Sequence, residues 1–118
     1  MNEKKNLTTE EIFASAIQHH KKNNFLIAEK LYKEILKTNP NHANTHNNLG
    51  KAYKDLGELQ NAMNCFQRTI EIQSNHADAH YNLGIIFNEL GKFQRAISCY
   101  EKVIEINPNY ADAHNNLG

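Results

Sequence analysis

With Lys plus Arg equal to Asp plus Glu at 13 each, this chain of 118 residues carries no net charge to draw it to nucleic acid or an anionic membrane. Its apolar residues come in short groups such as LGIIF, far from the ~18 in a row that span a bilayer. The polar opening MNEKKNLTTEE lacks the apolar segment of a secretory signal, so a cytoplasmic location is expected.

The predicted elements are almost wholly helical. Residues 7–22 form the first, because Thr8 and Glu11 have the spacing of a capping box ahead of Ile12, Phe13, Ala16 and Ile17. Asn23-Asn24 interrupts, and a second helix over 25–38 places Ala28, Leu31, Tyr32, Ile35 and Leu36 on one face. Asn39-Pro40-Asn41 stops it. Helices over 43–56 and 59–72 follow, with Gly57 between them, then 77–90 and 93–106 around Gly91, and Asn107-Pro108-Asn109 closes the set. Gly57 and Gly91 stand where a left-handed residue satisfies the last carbonyls of a helix, and Asn23 is the next-best residue for that conformation.

These elements repeat. A shift of 34 residues superimposes Ala43, His46, Leu49, Gly50, Leu56, Gly57, Ala62, Cys65 and Ile70 on Ala77, His80, Leu83, Gly84, Leu90, Gly91, Ala96, Cys99 and Ile104. Such a period means helical hairpins that bury their apolar faces only by stacking on one another. The columns support this register. Ala16, Gly50, Gly84 and Gly118 are small, as are Ala28, Ala62 and Ala96, whereas Tyr32, Phe66 and Tyr100, or Phe25, Leu59 and Phe93, are large. Small residues facing large ones let hairpins interlock at native density. The expectation is one array over 1–118, with units at 9–42, 43–76 and 77–110 and a partial fourth at 111–118.

Most reactive residues have a plain place in this pattern. Cys65 and Cys99 share one repeat position on helices ~8–10 Å or more apart, beyond the ~7 Å Cα limit of a disulfide, and are expected as half-buried thiols. His42/His46 and His76/His80 have i, i+4 spacing, but the first of each pair falls in a turn and no cysteine or carboxylate completes a zinc site. His46, His80 and His114 are expected between units. No nucleophile stands beside a base, Glu71 and Glu105 are one repeated position, and the glycines are helix stops at fixed period. Neither catalysis, nor a metal, nor a cofactor is expected.

The stretches HNNLGKAYKDLGELQNAMNCFQRTIEI and HYNLGIIFNELGKFQRAISCYEKVIEINP resemble the tetratricopeptide repeat (TPR) family. The Asn-Leu-Gly and Leu-Gly phrases are also similar to those in the repeat superhelix of O-linked N-acetylglucosamine transferase. Departures are Ile12, His46, His80 and His114 where the family often has Trp, and Ser74 in place of the proline at 40 and 108. The resemblance implies an all-α, right-handed superhelix of three hairpins plus part of a fourth. It also implies a concave groove, lined by the first helix of each unit, that receives a peptide segment of a protein partner. Transferred by position, the groove columns are Phe13, Asn47, Tyr81 and Asn115; Ala14, Asn48, Asn82 and Asn116; and Ile17, Lys51 and Ile85, flanked by Glu10, Asn44, Asp78 and Asp112 and by His20, Lys54 and Asn88.

The middle column is the informative one, because Asn costs ~0.5 kcal/mol relative to Ala inside a helix and yet recurs there. Its carboxamide offers both donor and acceptor, so Asn48, Asn82 and Asn116 suit the backbone of an extended peptide, or else bond within the repeats themselves. Family members that grip acidic chaperone tails use paired basic and amide residues. Here Phe13 and Ile17 stand in the first-unit places and Asp78 and Asn82 in the third, so that partner is not expected.

The first unit, with Ser15, His19 and Lys22 at positions that are apolar later, reads as a polar N-terminal cap. At the other end the repeat pattern stops at Gly118, so a piece of a longer protein is expected, with a partly uncovered face around Ile86, Tyr100, Val103, Ile104 and Leu117 and self-association through it. Peptide binding is the leading function. The alternatives are the substrate-recruiting arm of a larger group-transfer enzyme, glycosyltransferase-like, and a self-assembling structural array.

Overall fold

The computed structural model describes residues 7–110 together with Ala113 and Asn116. The expected fourth unit at 111–118, including Asp112, His114, Asn115, Leu117 and Gly118, otherwise lies outside the described residues. Among the described residues six helices follow in order: α1 (Thr9–Lys21), α2 (Phe25–Thr38), α3 (Ala43–Asp55), α4 (Leu59–Ile72), α5 (Ala77–Glu89) and α6 (Phe93–Ile106). The chain is elongated, 60 × 25 × 21 Å, as stacked hairpins require.

Local chemistry sets the helix ends. Thr8 Oγ1 accepts from the Glu11 amide at 3.1 Å, and the Glu11 carboxylate accepts from the Thr8 amide at 2.9 Å, completing the capping box. At the hairpin turns Asn23, Gly57 and Gly91 take φ of 65°, 82° and 77°. That left-handed step ends α1, α3 and α5 one residue earlier than periodicity alone predicts, leaving Lys22, Leu56 and Leu90 as caps. The histidines before α3 and α5 act as caps in their own right: His42 Nδ1 accepts from the Thr45 amide at 3.3 Å and His76 Nδ1 from the Ala79 amide at 3.2 Å. His46 and His80 turn back to the carbonyls of Pro40 and Ser74, at 2.8 and 2.9 Å. Serine at 74 therefore preserves the contact made by the proline-bearing turn, since the partner is a main-chain oxygen.

Each hairpin closes on itself (α1 with α2, α3 with α4, α5 with α6), and α2 and α4 carry the stacking onto α3 and α5. The column of small residues has a measurable reason. A Cβ at Gly50 would lie 2.6 Å from Phe66 Cε1, and one at Gly84 2.6 Å from Tyr100 Cε1, so the ring of the second helix lies against bare backbone of the first. Ala16, Tyr32, Ala52, Phe66, Ile86 and Val103 continue the core along the array.

One expectation about the last face is corrected. Ile86, Tyr100 and Val103 are buried, in one core cluster with Ala113 beyond the end of α6. The exposed apolar residues of the third hairpin are Leu90 (47%), Phe93 (59%) and Ile97 (37%), whereas their counterparts Leu56, Leu59 and Met63 pack against the core.

Candidate functional site

The first helices form the inner side of the array: α1 touches α3 and α3 touches α5, while among the described residues no comparable contact joins α2 to α4 or α4 to α6. The residues singled out from the sequence therefore share one side, but they are not equivalent there. Asn48, Tyr81, Asn82 and Ile85 are half-buried, Lys51 and Asn116 are exposed, and Asn47 is only 4% exposed. Asn47 is a part of the packing: its side-chain oxygen accepts from Asn82 Nδ2 at 3.2 Å across the second unit boundary. At the next boundary Asn116 Nδ2 reaches the Tyr81 hydroxyl at a long 3.4 Å. Asn115 lies outside the described residues.

Aromatic rings flank this amide pair. Phe13 meets Tyr32 and His42 with centroids 6.1 and 5.5 Å apart, and Tyr81 meets Tyr100 and Tyr110 at 5.9 and 5.2 Å. The outer flanking column is engaged as well. His76 Nε2 lies 2.9 Å from Asn44 Oδ1, and the Tyr110 hydroxyl donates to Asp78 Oδ1 at 2.9 Å. These pairs join residues 32 apart, so comparing columns at that offset would have disclosed them in the sequence.

Between the first two hairpins the inner face opens into a pocket of about 270 Å³ lined by Ile17, His20, Lys21, Tyr32, Asn48 and Lys51. Three of the expected groove residues, Ile17, Asn48 and Lys51, meet here, with His20 from the flanking set. His20 is held by Asp55 Oδ2, 2.7 Å from Nε2, and by the edges of Phe25 and Tyr32. Tyr32, placed in the core column on sequence grounds, is the residue that sequence reasoning missed. Its side chain is fully buried, with the Asn48 side chain as the polar neighbour of its hydroxyl. Burial pushes that hydroxyl up to about 12, with the nearby Asn48 amide opposing, so it remains a proton donor throughout the neutral range.

A larger depression of about 410 Å³ lies on a different part of the surface, at the α1–α2 turn, beside the exposed Leu26 and Ile27. It brings no buried polar group to its floor. Among the described residues no three His, Cys, Asp or Glu side chains converge on a point that would hold a metal. Burial raises the Cys65 and Cys99 thiols, Cys65 to about 11, which suits packing rather than nucleophilic chemistry.

No curated protein matches the chain in a sequence search. Family models described as tetratricopeptide repeat match residues 31–64 and 77–110, and one described as TPR repeat matches 51–91. The fold is similar to a solved structure described as the first TPR of Spaghetti (RPAP3) bound to the HSP90 peptide SRMEEVD. The TM-score is 0.87 at 21% identity, over 92% of this chain and 86% of that one. Together with the paired helices and their period, these matches show that the chain carries tetratricopeptide repeats, stacked in the all-α superhelix of that family.

Proposed function

We propose that the chain is a non-catalytic protein-interaction module whose inner face binds an extended segment of a partner protein. The observation that carries this reading is the pocket on that face, where Ile17, Asn48 and Lys51 converge beside Tyr32. Asn48 and Asn82 add amides that can pair with peptide main chain, Asn82 using its second N–H after bonding Asn47. A structure of similar fold holding a peptide is in keeping with it. The acidic peptide SRMEEVD bound there is a poorer match for this chain, since Asp78 places a carboxylate on the third unit and Phe13 and Ile17 offer no charge on the first.

The test is selection from a random peptide library with the wild-type chain and with Asn48→Ala/Lys51→Ala, both confirmed helical by circular dichroism. Capture by the wild type and loss in the folded variant supports the reading; no capture, or equal capture, overturns it.

A second reading, self-association, is favoured by one observation. Leu90, Phe93 and Ile97 form an exposed apolar stripe on the third hairpin, where the equivalent residues of the second are packed.

A further inference from the structure

Leu26 and Ile27 break the repeat. The same positions hold Gln60 and Asn61 in the second unit and Gln94 and Arg95 in the third, polar residues suited to an outward helix face. The apolar pair of the first unit nevertheless stands in solvent, Leu26 at 69% and Ile27 at 47% exposure. Packing does not call for them, since two units of three fold with polar residues there.

Beside them lies the open depression of about 410 Å³ at the α1–α2 turn, within the range of sizes that seat a ligand group. Phe25, Leu26, Ile27 and Leu56 give it an apolar lining, and Asn23 and Asn24 supply the polar part. The Phe25 ring is held edge-on by His20, centroids 5.5 Å apart, and His20 Nε2 in turn lies 2.7 Å from Asp55 Oδ2. A wall fixed in this way lowers the ordering cost of binding. Such a lining favours an apolar side chain over a polar one.

Charge narrows what stands on either side of that side chain. Lys22 directly precedes the turn, and Lys30, three residues after Ile27, shares its helix face; both are exposed and neither joins an ion pair among the described residues. The carboxylates nearest in sequence to Ile27 and Leu56 are engaged: Glu29 by Lys33 at 2.8 Å, Asp55 by His20, and Glu58 by the Asn61 amide at 2.8 Å. The surplus is positive and complements acidic groups.

We propose that this edge of the first hairpin docks a partner protein through a segment in which one large apolar side chain is flanked by aspartate or glutamate. The apolar side chain fills the depression against Phe25 and Leu56 and covers Leu26 and Ile27, while the acids face Lys22 and Lys30. The surface is separate from the inner face, and its anchor is apolar contact rather than amide pairing. A bilayer is the weaker fit, because lipid covers protruding side chains without using a concave wall.

The test titrates short synthetic peptides, with a central Leu or Phe among Asp and Glu, into the isotope-labelled chain followed by nuclear magnetic resonance. Controls carry Ser at the centre, or Lys in place of the acids. Leu26→Gln/Ile27→Asn serves as the variant, because Gln60 and Asn61 show that the repeat folds with these side chains. Amide shifts are expected at residues 21–30 and around Leu56, with affinity about tenfold lower for the Ser control and in the variant, and unchanged in Asn48→Ala/Lys51→Ala. No binding, shifts confined to the inner face, or equal affinity in the Leu26→Gln/Ile27→Asn chain overturns the proposal. Co-sedimentation with phosphatidylserine vesicles, or self-association, that disappears in that variant assigns the patch to a membrane or a second copy and overturns it as well.

Discussion

Asn82 donates to the side-chain oxygen of Asn47 at 3.2 Å, joining the second and third hairpins through an acceptor that is only 4% exposed. One member of the amide column thus holds the array together, while Asn48, one unit earlier, faces a pocket. Identical residues at one repeat position have different work because their neighbours in the preceding unit differ: Asn47 in one case, Phe13 in the other.

Asn82→Ala strands the buried Asn47 amide, a loss of about 1–3 kcal/mol set against about 0.5 kcal/mol of helix propensity regained. Its urea midpoint is expected to fall. Asn48→Ala, whose side chain meets the Tyr32 hydroxyl rather than a buried amide, is expected to lose less, and Asn47→Ala/Asn82→Ala to recover most of the loss. An Asn82→Ala protein as stable as Asn48→Ala would remove the structural role.

Gly50→Ala forces a methyl to within 2.6 Å of a fully buried ring. Overpacking of that kind costs about 1–3 kcal/mol, more than the ~1 kcal/mol that alanine returns in helix propensity. The change is expected to destabilise the array in equilibrium unfolding, and less so in the background Phe66→Leu. Equal effects in the two backgrounds would mean that the ring is not what excludes the methyl.

Burial holds the His76 imidazole below its ordinary value of 6.5, countered only in part by the Asp78 carboxylate. Its neutral form caps α5 through Nδ1 and meets Asn44 through Nε2. A depressed value in the folded state means that the native protein binds the proton less readily than the unfolded chain. The contribution is therefore complete above pH 6.5 and lost as pH falls below it. Urea midpoints measured from neutral to mildly acidic pH are expected to decline, and His76→Asn, which keeps an N-cap side chain, to flatten the decline. An unchanged slope in that variant would assign the pH dependence to other groups.

Phe93 is the most exposed residue of the apolar stripe on the third hairpin. If copies of the chain associate through it, Phe93→Asp is expected to shift sedimentation velocity profiles toward monomer while leaving the helical circular dichroism signal intact. Concentration-independent monomer in the wild type would rule this contact out.

The hairpins were legible in the sequence because everything that defines them is local and repeated. The period of 34, the capping box at Thr8 and Glu11, the left-handed stops at Asn23, Gly57 and Gly91, and the small column facing the ring column each depend on residues within one unit. Helix ends predicted this way agree with the structure to within a residue or two. What only the tertiary structure decided are relations between units. The pairs Asn47–Asn82, Asn44–His76 and Asp78–Tyr110 lie 35 or 32 residues apart, offsets set by how far one hairpin is rotated and shifted against the next. That rotation also buries the Tyr32 side chain beside the inner-face pocket, with Asn48 next to its hydroxyl, although by sequence Tyr32 is one more aromatic in a core column.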